Sequence, residues 1–202
     1  MYHFKNLMVG LALGQQDKAK IRYAGLVSWV ASSEKIIFTH IIDHGKIPIN
    51  SEAGALSSLE KTTKDLMKKL VEEYYDGRPA TRVEYHVIMG SPLVEIDILR
   101  DLREKEVDLL VLGRISGKFT GRETVPVKIS REAACSTLYV PSEVKPRTNQ
   151  PEDINILVPV NFSEKAADAM ELAVDFAVAH EIPRIYCAHI YDVPLGYYKR
   201  GK

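Results

Sequence analysis

Apolar positions along this chain alternate between two spacings. LMVGLAL (residues 7–13) is short and apolar, and turn chemistry at Gly14 follows it, so it reads as a first strand. From 16 to 32, Ala19, Tyr23, Val27 and Val30 recur at helical spacing. KIIFTHIID (35–43) is rich in β-branched residues and reads as strand two. After a polar loop, residues 55–75 read as a long helix whose inward stripe is Leu56, Leu59, Thr63, Leu66, Leu70 and Tyr74, with lysines and glutamates opposite. TRVEYHVIMG (81–90) is strand three, and Ser91 and Pro92 offer a cap and a first-turn proline for a helix running to about residue 105. VDLLVLG (107–113) is an unbroken apolar run, expected for a strand buried on both faces of a parallel sheet. A short helix over 130–135 and the strand STLYVP (136–141) complete an alternating βα order, which predicts an α/β parallel sheet with helices on both faces.

Residues 142–153 are polar, hold two prolines and lack periodicity, as a linker does. Beyond them the opening pattern returns. Shifted by 149 residues, Leu7 meets Ile156, Val9 meets Val158, Ala24 meets Ala173, Ile36 meets Ile185, and THIID meets AHIYD without a gap. The N-terminal apolar run, with Lys5 before it, has the look of a weak signal peptide, but a signal peptide has no reason to recur internally. The expected organisation is a complete domain over 1–141, a linker, and the first β-α-β part of a second, truncated domain over 154–202. Such a half unit would leave sheet and helix faces to be covered by another chain.

Composition narrows the function. The 202 residues carry 27 basic and 27 acidic side chains, and this zero net charge gives no electrostatic footprint for nucleic acid or anionic membrane. No run approaches the length of a membrane span. Two cysteines, Cys135 and Cys187, form neither a disulfide framework nor a zinc spacing and read as small core residues, which points to a reducing, cytoplasmic setting. His40 and His189 fall at equivalent positions of the repeat. Neither they nor His86 has a second metal ligand at suitable spacing, so packed or hydrogen-bonded histidines are expected and no metal. No G-x-S-x-G elbow occurs, and NFS (161–163) matches a glycosylation pattern that a cytoplasmic chain would not use.

Three stretches together, ILVPVNFSEKAADAMELAVDFA, the strand ends THIID and AHIYD, and GSPLVEIDILRDLREKEVDLLVLGR, resemble the universal stress protein family over nearly the whole chain, in two copies. The resemblance implies an open, Rossmann-like five-stranded sheet of the adenine-nucleotide alpha-hydrolase kind, with strand order 3-2-1-4-5. It also implies a stress-response binding module that dimerises through the fifth strand, 137–141, with the partial second domain as a further contact. Nucleotide-binding members carry G-x2-G-x9-G-[ST] after strand four and an aspartate ending strand one, near the base and ribose. Glycines there let backbone N–H groups approach phosphate.

In LGRISGKFTGRETVPVK (112–128) the motif positions hold Gly113, Ser116, Pro126 and Val127, and the strand-one acid position holds Ala12, beside Leu11 and across from Ile41 at the end of strand two. Proline lacks the N–H and valine the hydroxyl. Arg114, Lys118, Arg122 and Lys128 read as a solvated basic loop, or else as an anion site in which Lys118 and Lys128 supply side-chain charge. The loop fails as a Walker motif too, with three residues between its glycines and Phe119 after Lys118. In the second copy Asn161 takes the acid position, and Ser163 follows as a helix cap. The expectation is therefore no resident cofactor, with ATP and Mg²⁺ the alternative, and no catalysis beyond a weak ATPase. An adenylyl-transferring enzyme is disfavoured because the turn after strand one, ALGQQD, lacks a serine- and glycine-rich loop.

Overall fold

The computed structural model describes residues 4–43, 53–90, 93–114, 124–141, 155–179 and 181–191. The chain divides into two compact units, residues 3–146 and residues 147–202 together with 1–2. The segments 44–52, 115–123 and 142–154, with Ser91, Pro92, Ser116 and Lys118, lie outside the described residues, so the linker and most of the basic loop do too.

The first unit runs β1 (Asn6–Leu11), α1 (Asp17–Val30), β2 (Lys35–Asp43), α2 (Ala53–Tyr74), β3 (Arg82–Gly90), α3 (Val94–Glu104), β4 (Leu109–Arg114), α4 (Val125–Glu132) and β5 (Ser136–Pro141). Its five strands pair in parallel in the order β3-β2-β1-β4-β5. Pleating sends successive side chains to opposite faces, and both faces are covered. Leu7, Val9, Phe38 and Val111 pack with Ile21 and Ala24 of α1 and with Met67 and Val71 of α2. Met8, Leu110 and Leu112 pack with Leu102 of α3 and Ile129 of α4. The unbroken apolar run of β4 follows from its place in the middle of this sandwich.

Three local expectations change. The inward stripe of α2 is Thr63, Met67, Leu70, Val71 and Tyr74, while Leu59 and Leu66 are exposed. Helix α3 begins at Val94 with Leu93 at its cap position, beyond the Ser91–Pro92 pair expected to start it. Helix α4 begins at Val125, not near 130: Thr124 stands at its cap and Pro126 in its first turn, where the missing N–H has no intrahelical partner to lose.

The second unit contains β6 (Ile156–Pro159), α5 (Glu164–Ala179) and β7 (Ile185–Ala188), with β6 and β7 parallel. It repeats β1-α1-β2 in backbone detail. Leu7 aligns with Ile36 and Ile156 with Ile185, each pair in the same register. The left-handed residues Leu13 (φ 58°) and Ser32 (φ 51°) recur at the same interval as Phe162 (φ 60°) and Glu181 (φ 54°). Non-glycine residues rarely hold that conformation, so its recurrence at matching places marks one backbone plan used twice. Two helix-end bonds match as well, Ser33 N–H to Ser28 O and Ile182 N–H to Ala177 O. One burial difference stands out: Met8 is 1% exposed, and Leu157, its counterpart, 65%.

Candidate functional site

Strand β1 lies between β2 and β4. The chain leaves β1 toward β2 on one side, and β4 lies on the other, so a crevice opens beyond their carboxyl ends, where open α/β sheets bind ligands. Gly10, Leu11, Ala12 and Gly113 line this switch point. Helix α1 starts just past it, with the Asp17 N–H donating to Gly14 O at 3.0 Å.

The crevice holds a buried ion pair. The Asp17 carboxylate accepts from Ala12 N–H at 3.0 and 3.2 Å and from Gly14 N–H at 3.2 Å, drawing the β1–α1 turn around itself. Lys20, one turn along, places Nζ 2.6 Å from Asp17 Oδ1 and also donates to Gly10 O. Asp17 is 0% exposed and Lys20 5%. A Cβ on Gly113 would meet Lys20 Cδ at 3.4 Å and Cε at 3.6 Å, so the lysine stem lies along the glycine backbone. The backbone at 113 is thus covered by the protein's own side chain. Removing two charges from water is costly, and the three backbone partners around this pair offset that cost.

The other expected positions scatter. Leu11 is buried, and its carbonyl accepts from His40 Nδ1–H at 2.9 Å. Ala12 is exposed and offers its backbone N–H to Asp17. Ile41 is half-buried on β2, where its Cγ2 would stand 2.6 Å from a Cβ on Gly90. Pro126, Val127 and Lys128 belong to α4, not to a loop. Pro126 O accepts from Tyr139 Oη–H at 2.9 Å, and Val127 O from Ser130 Oγ–H at 3.0 Å. The Lys128 ammonium lies 3.4 Å from Glu95 Oε1, tying α4 to α3. The Glu95 carboxyl is held below its usual value, first by its own backbone N–H at the start of α3 and then by Lys128.

At the corresponding place in the second unit the ion pair has no counterpart: Ala166 and Ala169 stand where Asp17 and Lys20 do. Asn161 Oδ1 accepts from Ser163 N–H at 3.2 Å and from Ser163 Oγ–H at 2.6 Å, and Ser163 Oγ accepts from Ala166 N–H at 3.3 Å, capping α5. His189 Nδ1–H donates to Val160 O at 2.6 Å, repeating the His40–Leu11 contact. The Phe162 ring lies 4.9 Å from His189 and is exposed. The two histidines therefore serve the same backbone-bracing role in both units.

Among the described residues no group of three His, Cys, Asp or Glu is placed to hold a metal, and no helix is long and apolar enough to cross a membrane. Burial raises the Cys135 thiol above its ordinary value.

The architecture is that of a doubly wound α/β protein with its crevice between β1 and β4. Among solved structures, a universal stress protein from Archaeoglobus fulgidus is similar over 98% of this chain and 70% of its own, at 12% identity and a TM-score of 0.68. Universal stress protein UspA from Lactobacillus plantarum is similar over 69% of this chain and 99% of its own, at 16% identity and 0.53. A universal stress protein in complex with cAMP is similar over 70% of this chain and 100% of its own, at 19% identity and 0.50. No protein-family model matches the sequence, and no curated protein does. The fold is the universal stress protein fold, with the strand order the sequence resemblance implied.

Proposed function

We propose that this chain is a universal-stress-type binding and regulatory module whose first unit does not hold ATP. The observation that carries this reading is Lys20: its buried stem lies on Gly113, the first glycine position of the motif, and its ammonium is bonded to Gly10 O and Asp17. A triphosphate entering there would have to expel the lysine and approach the buried Asp17 carboxylate. Ser116, Pro126 and Val127 in place of the phosphate-binding glycines and serine or threonine add to this. On this reading the module acts in the cytoplasm by binding, without catalysis. It works as a homodimer through 137–141 and residues of the second unit.

The test is a titration of the ¹⁵N-labelled chain with ATP and Mg²⁺, followed by amide shifts and heat. The Ala12 and Gly113 amides are expected to stay in place. Saturable movement of both at micromolar ATP would defeat the proposal.

A second reading is favoured by one feature, the alanines at 166 and 169. They leave the strand end beside Asn161 without the ion pair, and a similar protein has been crystallised in complex with cAMP. On that reading the same titration moves the amides of Phe162 and Ser163 while Gly113 stays still.

A further inference from the structure

We draw no further inference here: the strongest candidate, the exposed apolar sheet face of the second unit formed by Leu157 of β6 and Tyr186 of β7, carries nothing because nothing in the structure shows what covers it.

Discussion

Lys20 is the residue on which the functional reading turns, and its energetics are testable on their own. Lys20→Ala leaves Asp17 buried without its counter-charge, which should cost about 3–5 kcal/mol in urea unfolding. Replacing both partners, Asp17→Asn with Lys20→Met, should recover most of that loss, because the desolvation penalty disappears with the charges. If the single variant proves harmless, the pair is solvated in solution and the crevice is open. Asp101 gives a second residue-scale expectation. Burial raises its carboxyl, but the hydrogen bonds and charges of His86 and Lys105 outweigh burial and hold it below the ordinary 3.8. A depressed carboxylate stabilises the fold above its unfolded value and loses that contribution as pH falls through its folded value. Acid unfolding of the native protein should therefore steepen below about pH 4, and Asp101→Asn should flatten that limb while lowering stability at pH 7. A superimposable pH profile for the variant would show that Asp101 is not coupled to folding.

At the scale of elements, the helix α2 correction explains where sequence patterning is blind. Leu59 and Leu66 are as apolar as the buried residues, and spacing alone accommodates either stripe. The phase is set by Met67 and Val71 entering the buried cluster that also holds Phe38 and Val9 of the sheet, a packing no local pattern encodes. Met67→Ala should cost about 2–5 kcal/mol and Leu66→Ala under about 1 kcal/mol, and comparable losses from both would refute the phase. Ser28 of α1 joins elements that patterning also leaves apart. Its Oγ donates to Gly25 O at 2.7 Å and accepts from Arg78 N–H at 3.0 Å and Tyr75 Oη–H at 3.3 Å. Gly25 is needed at the same crossing, since a Cβ there would stand 3.2 Å from the Asp76 carbonyl. Ser28→Ala strands the Arg78 N–H and should lower stability by about 1–3 kcal/mol, read as a shift in urea midpoint at constant slope.

For the molecule as a whole, the strands, the order βαβαβαβαβ and the repeat were readable because each rests on local periodicity. The strand order came from resemblance, and the crevice's content from neither. Asp17 and Lys20 form an i, i+3 pair at a helix start, which in sequence looks like any solvated ion pair. Only the fold, which lays the Lys20 stem along Gly113 of β4 and turns the Ala12 and Gly14 N–H groups onto Asp17, buries it. His40 and His189 show the opposite case: their shared place in the repeat was visible, and the carbonyl each braces follows from the shared backbone. Self-association belongs to this scale too. Light scattering is expected to give twice the mass of one chain, and a monomer at micromolar concentration would remove the dimer from the proposed function.

The sheet's order also dictates a timetable. Strand β1 is made before the other four strands of its sheet but holds the central position, and its second edge is filled only by β4. The Asn6 N–H waits for the Asp108 carboxylate, 102 residues later. Until then the nascent β1-α1-β2 segment exposes an unpaired edge and the apolar Met8 side of its sheet, the state most open to misassociation. Parallel pairing at such separation is slow to form. Refolding of the isolated chain should accordingly be limited by β4 docking, so that core substitutions in β4 such as Val111→Ala slow folding, whereas those in β5 mainly speed unfolding.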